Sequence, residues 1–261
     1  MTIFYRILLT FFSIFNLISC CNYHNRSFNL INKNNLEKTF NRTTTSTGLV
    51  SNWTLKSLNP LKLRNGTGRP TDHKIPTLEE ALHVSKDKIL INLDKCSDYI
   101  DVAYKTLEKT DTVDQVIFKG TKDINHVRKQ YGENILSKII YMPIISMKTP
   151  GLKKYITEFI NEYEPGAFEI IFKSDDSKVL ESITNIKKSG SGVWINTLWE
   201  SLCSNHTDDR AVYGPDGSWG WILEKGATII QTDRPELLLD YLERGCTIKQ
   251  GNFTLKVTTR T

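Results

Sequence analysis

The sequence holds no Cys-x-x-Cys pair. Its five cysteines (Cys20, Cys21, Cys96, Cys203, Cys246) and five histidines (His24, His73, His83, His126, His206) fall in no zinc-like spacing, which argues against a metal-stapled domain. Each histidine reads as an ordinary surface or packed side chain rather than a ligand. Runs of five like charges are also missing: 34 Lys and Arg against 29 Asp and Glu leave a net +5, interspersed along the chain. No nucleic-acid footprint follows from that pattern, and no nucleic-acid partner is expected. Fifteen Gly and eight Pro in 261 residues exclude collagen-like and Pro/Gly low-complexity classes. Neither Gly-x-Gly-x-x-Gly nor Gly-x-x-x-x-Gly-Lys-Ser/Thr follows any strand-like run, so a nucleotide-phosphate cradle is unsupported.

What is present is enough apolar material, 39% hydrophobic and 10% aromatic, for a packed core. Residues 1–20 read as a signal peptide: Arg6 supplies a positive n-region, Ile7–Ile18 an apolar stretch and Ser19 a small residue. Twelve residues are too short for a bilayer core needing about 20, so no integral membrane span is expected. Leu17-Ile18-Ser19-Cys20 resembles a bacterial lipobox, with Cys20 as the acylated residue. Six Asn-x-Ser/Thr sequons, at Asn25, Asn41, Asn52, Asn65, Asn205 and Asn252, suit a eukaryotic secretory route instead. Both readings send the chain out of the cytoplasm, secreted or lipid-anchored. Cys96, Cys203 and Cys246 are an odd set and allow at most one disulfide. Residues 21–47 are Asn- and Thr-rich and form an irregular lead-in, with one short strand around Phe28–Ile31. The barrel described next occupies residues 48–250, and 251–261 is a tail.

From about residue 76 strand-length apolar runs alternate with helical patterns. Lys88–Leu93, Gln115–Phe118, Lys138–Ile145, Ala167–Phe172, Gly192–Leu198 and Ala227–Gln231 are the strands. Helices are expected over Asp98–Glu108, Asp123–Tyr131, Gly151–Tyr163, Ser177–Lys188 and Pro235–Arg244, with an apolar stretch at Trp219–Glu224. That rhythm is α/β with a parallel sheet. The expected fold is a TIM (β/α) barrel, incomplete, because six βα units are present where eight close it.

Function in such a barrel sits at the C-terminal ends of the strands. The polar residues interrupting those ends are Asn92, Asp94, Lys119, Glu169, Trp194, Asn196, Trp199, Gln231 and Asp233. Period-two alternation puts Asn92 with Asp94, and Trp194 with Asn196, on shared faces taken as inward. An inward carboxylate must be solvated, paired or metal-bound, since burying it alone costs several kcal/mol. Asp94 is therefore a candidate metal ligand, and Glu169, inside an apolar run, has Lys119 as a candidate partner. Asp233 before Arg234-Pro235 looks like a helix N-cap.

Several ordered blocks carry a family resemblance: Pro76–Leu82, Ile89–Asp94, Val116–Gly120, Val193–Trp199 and Gly226–Leu238. With Phe40–Leu58 and its Arg42-Thr43-Thr44 they resemble the glycerophosphodiester phosphodiesterase family, in its Bacteroidetes-type branch, over about residues 36–244. The resemblance implies a TIM barrel that hydrolyses glycerophosphodiesters in lipid and glycerophosphodiester metabolism, with a divalent cation (Mg²⁺ or Ca²⁺). Of the strand-end residues, Asn92, Lys119, Glu169, Trp194, Asn196 and Trp199 are the candidate substrate-binding set and Asp94 the candidate metal ligand. The family also has a His-Arg-Gly, a Glu-x-Asp metal pair and a His-Asp ahead of its Arg-Thr-Thr. The first two have no counterpart before residue 36, and Leu36-Glu37 stand in place of the third.

Phosphodiester cleavage needs a general acid, a base or nucleophile, and neutralisation of the phosphate oxygens. Each missing acid or base costs roughly 10² to 10⁴ in rate, and one carboxylate beside Asn92 is a poor cage for Mg²⁺ or Ca²⁺. The expectation is a phosphodiesterase-like chain with weak or no turnover of its own, a pseudoenzyme, whose partner is a glycerophosphodiester or other phosphate-bearing small molecule. Two alternatives remain. One is a non-catalytic phosphate or glycolipid-headgroup binder using Lys119, Trp194 and a loop at Asp208-Asp209-Arg210. The other is an incomplete product of a gene for an active enzyme. Six strands lacking two neighbours also leave sheet edges in need of cover.

Overall fold

The computed structural model describes residues 40–243, apart from Arg42, Val50, Ser51, Gly66 and Lys95. The expected signal segment, Cys20, Cys21, the strand at Phe28–Ile31, Leu36-Glu37, Cys246, the sequons at Asn25 and Asn252 and the tail lie outside the described residues. No helix among the described residues is long and apolar enough to cross a membrane. The fold is the incomplete (β/α) barrel of the sequence reading: six parallel strands in chain order, alternating with helices. The described chain divides into two compact units that meet within one strand, between Phe118 and Lys119.

In the first unit a short helix, Leu55–Leu58, precedes an antiparallel hairpin of β1 (Lys62–Arg64) and β2 (Pro70–Lys74). The hairpin turn is built on Asn65, whose Oδ1 accepts from Thr67 N at 3.1 Å, Thr67 Oγ1 at 2.8 Å and Arg69 N at 2.9 Å. Phe40 and Leu58 anchor a small apolar cluster with Trp53, Leu61 and Ile75. A capping box starts the Leu78–Ser85 helix: Thr77 Oγ1 accepts from Glu80 N at 3.2 Å, and Thr77 N donates to Glu80 Oε2 at 2.7 Å. β3 (Ile91–Leu93) then pairs with β4 (Val116–Gly120) in the register Ile91–Val116, Asn92–Ile117, Leu93–Phe118. Between them the Ile100–Thr110 helix buries Ile100, Ala103, Tyr104 and Leu107, the i, i+3, i+4, i+7 stripe that makes a helix amphipathic.

In the second unit β5 (Ile140–Ile145), β6 (Ala167–Ile170), β7 (Gly192–Asn196) and β8 (Ile229–Gln231) form a continuous parallel ladder. Their core residues are nearly all apolar and fully buried, including Ile145, Phe168, Ile170, Val193 and Ile195, as expected of strands covered on both faces. Helices Ile124–Tyr131, Leu152–Glu162 and Pro235–Glu243 fall where the periodicity places them, within a turn; Ser182–Lys188 begins five residues later than expected, after a 3-10 turn at Lys178–Glu181, and the apolar stretch at Trp219–Glu224 is helical over Trp221–Lys225. Asp123 caps the first through His126 N at 3.0 Å. The last helix begins at Pro235, with Leu238 N donating to the Arg234 carbonyl at 3.0 Å.

Gly120 ends β4 where Tyr141 crosses it, and a Cβ there would overlap the Tyr141 hydroxyl. That ring cannot swing away. It is buried against Tyr131 (5.8 Å), Phe159 (6.0 Å) and Tyr163 (6.3 Å). Gly120→Ala is therefore expected to cost about 1–3 kcal/mol by overpacking. Tyr141→Phe in the same chain should recover most of it in urea titrations, and a double variant no better than the single would refute the clash.

Candidate functional site

Strand alternation and register bring four of the expected residues together in the second unit. Glu169 on β6 lies opposite Trp194 on β7, and two residues further along Asn196 lies opposite Gln231 on β8. Lys119, one residue from the end of β4, reaches Glu169: Nζ to Oε2 is 2.9 Å, with both side chains only 4% exposed. The contact is a buried ion pair between an ammonium and a carboxylate. The same ammonium lies 5.3 Å from the centroid of the Trp194 ring, within cation–π range. The indole N–H of Trp194 and Asn196 Nδ2 each donate to Gln231 Oε1 at 3.0 Å, and Asn196 Oδ1 accepts from Leu198 N at 3.0 Å. Lys119, Glu169, Trp194, Asn196 and Gln231 thus form one connected, buried polar group at the strand ends, where barrel sites lie.

Three of the expected residues are not members of that group. Trp199 follows the end of β7 as the residue before the Glu200–Cys203 helix and is 53% exposed. Asn92 and Asp94 belong to the first unit. Asn92 is buried in β3 with Oδ1 lacking a hydrogen-bond partner, whereas Asp94 is half-buried in the turn after the strand. Among the described residues no three His, Cys, Asp or Glu side chains converge as a metal set. The most buried carboxylate of the site, Glu169, already faces an ammonium. The described residues do not fit a divalent-cation centre.

A second polar knot supports the ends of β7 and β8. Asp208, expected in a loop, begins the Asp208–Tyr213 helix, with Thr207 as its cap. Its buried carboxylate accepts from Thr197 Oγ1 at 2.5 Å and Trp219 Nε1 at 3.0 Å on Oδ1, and from Asp233 N at 2.7 Å on Oδ2. These contacts tie the two strand ends to the helix that Asp208 begins.

None of the described histidines is among the hydrogen-bond or ion-pair partners of the Lys119 group. His73, His83 and His126 are exposed, on β2 and on two helices. His206 is buried, stacked on Trp221 at 3.9 Å and 8°, with Nδ1 2.8 Å from the Gly217 carbonyl and Nε2 2.9 Å from Asp175 Oδ1. Burial pushes the Asp175 carboxyl up, but hydrogen bonds from Ser204 and His206 outweigh it and hold the group below the usual carboxylate range. Both ring nitrogens of His206 are taken up by these neighbours. Burial likewise pushes the Cys203 thiol up to about 12, which leaves it no thiolate at neutral pH.

Comparison with known proteins yields a family model described only as a domain of unknown function (DUF4996), matching residues 141–242. No curated protein matches. Among solved structures, a glycerophosphoryl diester phosphodiesterase from Parabacteroides distasonis is similar at 20% identity and TM-score 0.61, over 79% of this chain and 69% of that one. The likeness is one of fold. A glycerophosphodiester phosphodiesterase from Agrobacterium tumefaciens is similar at 17% identity and TM-score 0.47, over 77% of each chain.

Proposed function

We propose that this chain is a glycerophosphodiester phosphodiesterase-like protein that binds a glycerol phosphate ester at the Lys119 group and hydrolyses it slowly or not at all on its own. The observation that carries the reading is the buried Lys119–Glu169 pair over Trp194, a charged arrangement at the strand ends of a barrel whose fold the Parabacteroides phosphodiesterase shares. Buried charge at the ligand-binding end of a barrel is where function concentrates. The ordered sequence blocks, Pro76–Leu82 through Gly226–Leu238, support the same family. Weak turnover follows from the chemistry available: a lysine already paired, no free imidazole at the described site and no fitted cation centre. The apolar N-terminal segment and the sequons favour work outside the cytoplasm.

An assay of the full chain with glycerophosphocholine, with Mg²⁺ or Ca²⁺ supplied, tests this. Turnover is expected at least about 10²-fold below the ordinary enzymatic range of roughly 1–10³ s⁻¹, together with measurable binding of glycerol 3-phosphate. A rate inside that range would overturn the inactivity, and failure of every glycerol phosphate ester to bind would overturn the ligand class.

A further inference from the structure

The β1–β2 hairpin of the first unit concentrates positive charge. Over residues 62–74 Lys62, Arg64, Arg69 and Lys74 stand against Asp72 alone, four cations to one acid and a net +3, where the whole chain sums to +5. One side of the hairpin presents them. Leu63 is buried, and period two turns Lys62 and Arg64 to the opposite face. The register sets Lys74 directly across from Lys62, so it shares that face. Arg69, in the turn, is exposed.

Two lysines opposite one another on an antiparallel pair repel and weaken it. Lys62 is partly compensated: its Nζ donates to the Asp72 carbonyl at 2.7 Å and lies 4.0 Å from the Asp72 carboxylate. Arg64 donates to the Thr44 carbonyl at 2.6 Å and the Gly68 carbonyl at 2.8 Å. The side chains of Arg69 and Lys74 have no hydrogen-bond or ion-pair partner among the described residues. A two-stranded ribbon is only marginally stable in water, and a local conflict kept in such an element marks a functional surface.

The shape and chemistry of the ribbon decide among anionic partners. It holds no Phe, Tyr or Trp on which a nucleic-acid base could stack. β2 exposes four of its five residues, so the ribbon stands in solvent and walls no groove. A diffuse negative surface asks for neither stacking nor a groove, since Lys and Arg near an anionic bilayer are attracted one by one. The chain also carries the apolar Ile7–Ile18 segment, of the kind that takes a protein to a membrane.

We propose that the Lys62–Lys74 side of the β1–β2 hairpin docks electrostatically on the surface of an anionic lipid bilayer. The inference is independent of the Lys119 group and of turnover.

Co-sedimentation of the full chain with vesicles of phosphatidylcholine, and of phosphatidylcholine mixed with phosphatidylglycerol, tests this. Each cation near such a surface is worth about fivefold, so a net three should favour the anionic vesicles by about 10²-fold. That preference should vanish as salt rises from about 50 mM to about 500 mM. Arg69→Glu with Lys74→Glu reverses two charges and should abolish it. Parent and variant share the same N-terminal segment, so the difference between them reads the hairpin. Lys74→Glu also sets a carboxylate opposite Lys62, and the variant should unfold at a slightly higher urea concentration than the parent. Weaker docking by a more stable hairpin is a result that a purely structural role would not give. If the double reversal does not fold, Arg69→Gln with Lys74→Gln carries the same test, with an expected loss of about 25-fold. Equal sedimentation with both kinds of vesicle, or an anionic preference that survives these substitutions, would overturn the proposal. Tighter binding to a single-stranded polynucleotide than to the anionic vesicles would overturn it as well, by making the partner a nucleic acid.

Discussion

Lys119→Met is expected to destabilise the protein by about 3–5 kcal/mol, because it strands the Glu169 carboxylate in an interior where both side chains are only 4% exposed. Glu169→Leu should cost a similar amount for the mirrored reason, leaving the ammonium with the Trp194 face, a contact worth about 2 kcal/mol at most estimates when desolvated. The two changes together should not add. A Lys119→Met, Glu169→Leu double variant places two apolar side chains where an ion pair was, and such replacements range from neutral to roughly 1–4 kcal/mol stabilising. Urea unfolding of the three variants and the parent gives the coupling energy directly. The double variant should fold and yet lose binding of glycerol 3-phosphate, which separates a site retained for its ligand from one retained for stability. Single variants within about 0.5 kcal/mol of the parent, the range of ordinary surface changes, would mean that water reaches the pair.

The pairing itself was legible in the sequence. Glu169 stands inside Ala-Phe-Glu-Ile-Ile-Phe and Lys119 follows Val-Ile-Phe, and a charge set in a covered strand needs a countercharge. The six parallel strands were legible for a related reason: strands covered on both faces read as apolar runs, and each is followed by a helical period. The β1–β2 hairpin left no such trace. Lys62-Leu63-Arg64 buries a single residue and Pro70–Lys74 buries none, so no apolar alternation marked it. Its one signal was the turn chemistry of Asn65-Gly66, which also reads as a sequon.

The site was legible in its residue types but not in its grouping. Trp194 and Asn196 share a face by period two, and Gln231 was visible as a polar strand end, yet only the register shows that Gln231 accepts from both. Trp199 misled because it lies in the same apolar block as Trp194, although β7 ends at Asn196 and alternation carries no further. Asn92 and Asp94 are a period-two pair only if the strand extends through both, and β3 stops at Leu93.

Asp208 was the residue that sequence reading placed least well, and its removal should have the second large effect. Asp-Asp-Arg reads as a polar surface loop; the overlooked signal was Thr207, a good cap, followed by acidic residues in the first turn. In the structure one carboxylate serves the Thr197 hydroxyl, the Trp219 indole and the Asp233 amide, and so joins the ends of β7 and β8 to the helix that follows β7. Asp208→Ala leaves the buried Trp219 indole without this acceptor and takes one from the part-buried Asp233 N–H, whereas Thr197 Oγ1 keeps the Gln231 carbonyl at 2.8 Å; a lost buried partner costs about 1–3 kcal/mol. A loss of about 2–3 kcal/mol is expected once partial relaxation is allowed. Asp208→Asn keeps an oxygen for Thr197 and Trp219 and turns an amide towards the Asp233 N–H, so its loss should be nearer 1–2 kcal/mol. Because Thr197 and Asp233 flank Asn196 and Gln231 in sequence, Asp208→Ala should also blur the Gln231 amide resonances before the chain unfolds. Retention of both full stability and sharp Gln231 signals in Asp208→Ala would show that the strand ends are held by packing alone.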